Sequence, residues 1–164
     1  MKNLCMFLLC LLLLKLPISA QAAPLQVGDK APEFSVTTLS GEQLALSKFV
    51  GKKPVYLKFW ATWCQYCTNE MPHLAKLHKR LQDDVEVITV NIALNDSIKN
   101  IENFYAANDL SLPTVFDKTG ALTQSYGVVG TPFHVLIDEQ GRIHQQSFFA
   151  SDEFNQALMD LAKQ

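Results

Sequence analysis

The chain has 164 residues, 48% of them hydrophobic, and a formal charge of −2. That is enough apolar material for one domain with its own core. The weak acidity, without any run of basic residues, argues against nucleic acid as a partner.

The first 22 residues read as a signal peptide. Lys2 gives a positive start, residues 4–14 are unbroken apolar, and Pro17 ends any helix. Ala20-Gln21-Ala22 supplies the small-x-small cleavage pattern, which places the cut after Ala22 and the mature domain at 23–164. The apolar run falls short of the about 20 residues that a spanning helix needs, and Lys15 sits badly within one. The alternative is an uncleaved segment anchoring the protein to the inner membrane. Lipid attachment at Cys10 is disfavoured, because Phe7-Leu8-Leu9 lacks the small residues expected before a lipidated cysteine. Cleavage removes Cys5 and Cys10, leaves Cys64 and Cys67 as the only thiols, and leaves 12 basic against 16 acidic residues, a charge of −4. Export to the periplasm puts that pair in an oxidising compartment.

Residues 23–54 read as a loop-rich lead-in. Phe34 to Leu39 and Gln43 to Leu46 flank Ser40-Gly41-Glu42, a hairpin pattern, and Ser47 is placed to cap a short helical turn ending at Gly51. Val55 to Trp60 is near-continuous apolar, the mark of a central strand covered on both faces. After Cys64, Met71, Leu74, Leu77 and Leu81 recur at helical spacing, with a kink expected at Pro72. Val85 to Ile92 is a second buried strand, and Ser97 opens a helix with Ile98, Ile101, Phe104 and Tyr105 on one face. Leu112 to Phe116 is a short strand, residues 117–120 a turn, and Leu122 to Tyr126 a short helix stopped by Gly127. Phe133 to Ile137 and Arg142 to Phe148 form a hairpin about residues 138–141. Ser151 caps a last helix that buries Phe154, Leu158 and Leu161. This order implies an α/β fold, a central mixed sheet flanked by helices, with no repeat or second domain.

The chemistry sits in Cys64-Gln65-Tyr66-Cys67, between the central strand and the helix. A helix N-terminus favours negative charge through its free N–H groups and dipole, and the thiolate is the reactive form of cysteine. The spacing lets the two sulfurs join over one helical turn, so the pair reads as a dithiol/disulfide switch. Two other readings stay open. A structural zinc site needs four ligands, and no second cysteine pair exists, while His73 and His78 point in different directions on a helix. An inert structural disulfide is the other.

Phe59-Trp60-Ala61-Thr62-Trp63-Cys64-x-x-Cys67 with Glu70-Met71-Pro72, together with Tyr126-Gly127-Val128-x-Gly130-Thr131-Pro132 and Leu136-Ile137-Asp138-x-x-Gly141, resembles the TlpA/ResA-like exported branch of the thioredoxin-like proteins. Val27-Gly28-Asp29-x-Ala31-Pro32-x-Phe34 matches that branch's beginning, and the likeness runs over roughly residues 26–162. It implies a thioredoxin fold with an N-terminal hairpin and a βα insertion. It implies an attacking Cys64, a resolving Cys67, a cis Pro132 against the sulfurs, and a Thr131 backbone offered to a bound chain. Trp63 becomes a lid beside Cys64, Trp60 lies under the sheet, and Glu70 borders the site and influences proton traffic. Gln65 and Tyr66 face the substrate between the cysteines. The implied activity is reduction of disulfides in exported proteins, including those of cytochrome c maturation. A DsbD-like membrane protein would supply electrons to a monomer that needs no cofactor beyond its own disulfide and no metal.

Three residues depart from the family pattern. Lys58 stands where thioredoxins carry a buried aspartate and many TlpA-like proteins an asparagine; it either lowers thiolate pKa values or snorkels outward. Tyr66 replaces the common proline of the dipeptide, as in disulfide isomerases and glutaredoxins, which leaves oxidant and isomerase roles open. Phe133 follows Pro132 where cytochrome-c-maturation members often have glutamate. A peroxiredoxin-like peroxidase is a further alternative, since Ala31-Pro32-x-Phe34 is shared with that family, but Ala61 stands where its chemistry wants threonine. A thiol-based metal-binding protein is the non-enzymatic alternative.

Overall fold

A computed structural model describes residues 24–163; the expected signal peptide and its cleavage site lie outside the described residues. Strands β1 (Ser35–Thr37) and β2 (Gln43–Ala45) form an antiparallel hairpin. Five further strands follow, β3 (Val55–Trp60), β4 (Glu86–Asn91), β5 (Thr114–Phe116), β6 (Phe133–Ile137) and β7 (Ile143–Ser147). They make one sheet in the order β5-β4-β3-β6-β7, parallel across β3, β4 and β5 and antiparallel at β6 and β7. The helices are α1 (Gln65–Leu81), α2 (Ile98–Asn108), α3 (Ala121–Ser125) and α4 (Asp152–Leu161).

All six residues of β3 are buried, because the sheet is covered on both faces. The strand's two-residue period divides them. Tyr56 and Trp60 pack with Cys64, Cys67, Met71 and Leu74 of the α1 side and Phe154 of α4. Val55, Leu57 and Phe59 pack with Phe34 and Leu44 of the hairpin region, Leu122 of α3 and Val135 of β6. β6 repeats the division, with Leu136 in the first cluster and Phe133, Val135 and Ile137 in the second. The sheet thus presents the C-terminal end of β3 to the N-terminus of α1, where the cysteines lie.

Two local expectations need correction. Ser47 is not a cap: the 3-10 turn at Leu46–Lys48 starts from Ala45 without a side-chain hydrogen bond, and the Ser47 N–H instead donates to Glu33 Oε1. Pro72 lies inside α1, which runs as one helix over 17 residues. Ile98, in the first turn of α2, is exposed, and Ile101 alone of that helix is fully buried. The caps at Ser97 and Ser151 form as expected, their hydroxyls accepting from Asn100 N–H at 3.1 Å and Phe154 N–H at 3.2 Å.

Candidate active site

Cys64 is the N-cap of α1. Its backbone is extended and its sulfur accepts the Cys67 N–H at 3.2 Å, so a free donor of the helix end points at Sγ. Cys64 and Cys67 are joined in a disulfide, their Cα atoms 5.2 Å apart. The surface distinguishes the two: Cys64 keeps 7% exposure and Cys67 none. Gln65 and Tyr66, between them, are exposed on the first turn of α1.

The loop before the cysteines is held by the β4–α2 loop. The Asp96 carboxylate accepts from Thr62 N–H and Thr62 Oγ1, both at 2.7 Å, from Asn91 Nδ2 at 2.8 Å and from Ser97 N–H at 2.9 Å. Burial alone raises the Asp96 pKa, but these hydrogen bonds outweigh it and hold the carboxyl below its usual range. Next along, Trp63 Nε1 donates to the Leu94 carbonyl at 2.7 Å, leaving the ring half-exposed over the site. Trp60 is fully buried, stacked on Tyr105 with 4° between the rings.

The Thr131–Pro132 peptide bond is cis. Tyr66, Thr131, Pro132, Phe148 and Phe149 line a cavity of about 430 Å³ on one side of the loop. On the other, Trp63, Leu94, Val128, Val129 and Thr131 take part in lining a second, of about 270 Å³. Thr131 is common to both, and its hydroxyl oxygen is buried without a hydrogen-bond partner.

Beneath the first turns of α1 lies a polar cluster. Lys58 does not snorkel outward: its side chain is 1% exposed and its ammonium is ion-paired with Glu70 Oε2. Burial pulls the Lys58 pKa below its usual value, opposed by Glu70. His134 is opposite Lys58 in the β3–β6 register. Its Nε2 is 3.5 Å from the same Glu70 oxygen, and its Nδ1 is 2.7 Å from Tyr56 Oη. Burial, and then the Lys58 charge, push the His134 pKa down to about 3, so the ring is neutral. Burial, with Glu70 adding to it, raises the Tyr56 pKa.

The structure therefore gathers the cysteines, Trp63, Gln65, Tyr66, Thr131 and Pro132 at one end of the sheet and joins Glu70 to Lys58 one turn deeper. Sequence reasoning missed Asp96, His134 and the Phe148-Phe149 pair. The alternation of polar Lys58 with Tyr56 and Trp60 on β3, matched by His134 among apolar residues on β6, was the available signal for the cluster.

Residues 27–146 match the AhpC/TSA family, a span that includes both cysteines and Pro132. The chain belongs to the AhpC/TSA family of thioredoxin-like proteins. Over 123 residues it is 37% identical to the thiol-disulfide oxidoreductase ResA of Bacillus thuringiensis subsp. konkukian, covering 74% of this chain and 69% of that one. It is 40% identical over 126 residues to the thioredoxin-like protein YneN of Bacillus subtilis, covering 76% and 73%. Among solved structures, a Chlorobium tepidum protein provisionally assigned as the thiol:disulfide interchange protein DsbE superposes with a TM-score of 0.73. The two are 29% identical, over 84% of this chain and 99% of that one. The fold is that of thioredoxin, and the family member described here is a thiol-disulfide oxidoreductase that carries a Cys64–Cys67 pair.

Proposed function

We propose that this oxidoreductase is exported to the periplasm, its signal peptide cleaved after Ala22, and that it reduces disulfides in other exported proteins. The observation that carries the reading is the asymmetry of the pair, a Cys64 that keeps 7% exposure at the helix N-terminus beside a Cys67 with none. Only Cys64 is reachable by a disulfide on another protein, and its thiolate is the one the helix end stabilises. The Cys64 thiolate attacks the partner's disulfide, forming a mixed disulfide and releasing one partner sulfur as a thiolate. Cys67 then attacks Cys64 Sγ, forming the intramolecular disulfide and releasing the second partner sulfur. Two electrons pass to the partner, and a membrane donor of the DsbD type returns them. Thr131 and Pro132 flank the exchange, with an extended partner segment lying along the Thr131 backbone. Glu70 borders Cys67 one helical turn away and serves as its proton acceptor. The protein works as a monomer without a metal or further cofactor.

The test is to express Cys67→Ser in cells and isolate what remains disulfide-linked to it. The expected product is a long-lived mixed disulfide through Cys64 with exported cysteine proteins; haem-binding cysteines of c-type cytochromes among them would place it in cytochrome maturation. Trapping that instead requires Cys64→Ser overturns the assignment. A reduction potential near thioredoxin's value of about −270 mV fits a reductant, whereas one near about −120 mV makes the protein an oxidant.

A further inference from the structure

A lysine ammonium buried beneath the reactive helix needs a reason. Taking an ion pair out of water costs several kcal/mol per charge, and an apolar side chain at the same place is often more stable. The pleat places Lys58 on the α1 face of β3, between Tyr56 and Trp60, which pack in the same apolar cluster as Cys67. Its ion pair is with Glu70, three residues beyond Cys67 and thus one turn along the same helix face. The Glu70 side chain keeps 26% exposure and has room to turn to solvent, yet it is drawn inward. Lys58 Nζ holds Oε2 from β3, and His134 Nε2 lies 3.5 Å from the same oxygen on β6. The other His134 nitrogen, Nδ1, is occupied by the Tyr56 hydroxyl. A cavity of about 220 Å³ opens beside the pair. It is lined by Tyr56, Lys58 and Glu70, by Asn69 and His73 of α1 and by Asn155 of α4, with the remaining lining apolar.

We propose that Lys58 is a positioning residue for thiol–disulfide exchange, holding the Glu70 carboxylate beneath the cysteine helix so that Glu70 accepts the proton of Cys67. The inference rests on Cys67 as the resolving sulfur. In the resolving step the Cys67 thiol loses its proton to a Glu70 oxygen. Its sulfur forms the bond to Cys64 Sγ, and the bond from Cys64 to the partner breaks, with the electron pair leaving on the partner sulfur. Glu70 becomes neutral while Lys58 stays charged, and that charge favours the thiolate forming above it. The proton then leaves through the cavity, whose polar lining includes the only other titratable group of α1 beside the pair, His73. Lys58 acts through Glu70 and touches no reacting atom.

The decisive variant is Lys58→Met, which keeps the length and fits the apolar face. Two quantities are read across pH in the intact protein: the rate at which a preformed mixed disulfide resolves, and the thiolate absorbance of the reduced protein. Lys58→Met should slow resolution at neutral pH by roughly tenfold to a hundredfold, the scale of a positioned proton acceptor. The rate should recover as pH rises and the thiolate midpoint should move upward. Glu70→Gln should reproduce both changes, and the double variant should be no worse than either single one. Rate and titration curves of Lys58→Met that superimpose on wild type overturn the inference, as do effects of the two substitutions that add. If Lys58→Met does not fold, Lys58→Leu, which likewise removes the donor to Glu70, carries the same comparison. Trapping through Cys67 in place of Cys64 would overturn both this inference and the assignment beneath it. Normal trapping with an unchanged Lys58→Met profile overturns this inference alone.

Discussion

Individual residues in the buried cluster set a pH dependence that an apolar core would lack. The His134 pKa is lowered from its usual 6.5 to about 3, first by burial and then by Lys58. Unfolded chains bind a proton there as pH drops below 6.5, while the folded protein does not until about 3. Stability from this group is therefore fully present above pH 6.5 and is lost as pH falls through that window, at up to about 1.4 kcal/mol per pH unit. Replacing His134 alone would strand the Tyr56 hydroxyl, whose partner is His134 Nδ1. The double variant Tyr56→Phe/His134→Phe avoids this and keeps the aromatic contacts that both rings make with Phe154. Denaturant titrations at a series of pH values should give this variant a flatter acid limb between pH 6.5 and 3. An acid limb as steep as that of wild type would assign the loss to other groups. Each strand carried a signal in its polar residue among apolar ones, but the meeting of Lys58 and His134 was not legible in the sequence, because it depends on the β3–β6 register, which joins residues 76 positions apart.

Between elements, the site depends on a clasp that no motif announces. The strand, the helix and the caps at Ser97 and Ser151 carry local signals, the cis Pro132 was implied by the family resemblance, and the structure contains them all. Asp96 does not, because its work is done across 34 positions, on Thr62, in the loop that delivers Cys64. The β4–α2 loop that carries it is strained as well: Ala93 and Asn95 adopt φ of 59° and 49°, a left-handed conformation costly for residues other than glycine. Such a loop keeps its shape because several hydrogen bonds converge on it, and the Asp96 carboxylate accepts most of them. Asp96→Ala is expected to cost about 1–3 kcal/mol by leaving Thr62, Asn91 and Ser97 donors unpaired. It should also release Trp63 from the Leu94 carbonyl, which tryptophan fluorescence anisotropy would record as greater indole mobility. Stability loss without any change in the indole would make Asp96 a structural residue with no hold on the site. The hydrogen bonds hold the Asp96 pKa below its usual value, so acid weakens the clasp as pH falls through the carboxylate range.

At the scale of the whole molecule, most of the large exposed apolar side chains among the described residues gather at the end of the sheet that carries the cysteines. Trp63 precedes Cys64 and Tyr66 lies between the cysteines, Leu94 comes from the β4–α2 loop, Val129 from the loop before Pro132, and Phe148 and Phe149 from the turn after β7; all six are exposed. They come from four separate stretches of sequence, which is why the motif pointed to Trp63 and Tyr66 beside the cysteines but not to Leu94, Val129, Phe148 or Phe149. Exposed aromatic residues grouped about a reactive atom suit a protein substrate more than a small disulfide. Phe149 isolates this contribution. It is exposed, its backbone alone is hydrogen-bonded, to Ser147 Oγ, and Phe148 rather than Phe149 makes the ring contact with Phe133. Phe149→Ser should therefore change stability by less than about 0.5 kcal/mol. If a partner's apolar side chain covers this ring, its loss removes about 1.5–3 kcal/mol of burial, which corresponds to roughly tenfold or more in kcat/KM toward a protein disulfide. The rate with hydroxyethyl disulfide, too small to reach the ring while its sulfur is at Cys64, should stay at the wild-type value. An equal fall with both substrates would show that the substitution had disturbed the cysteines themselves, and no fall with either would remove Phe149 from the recognition surface.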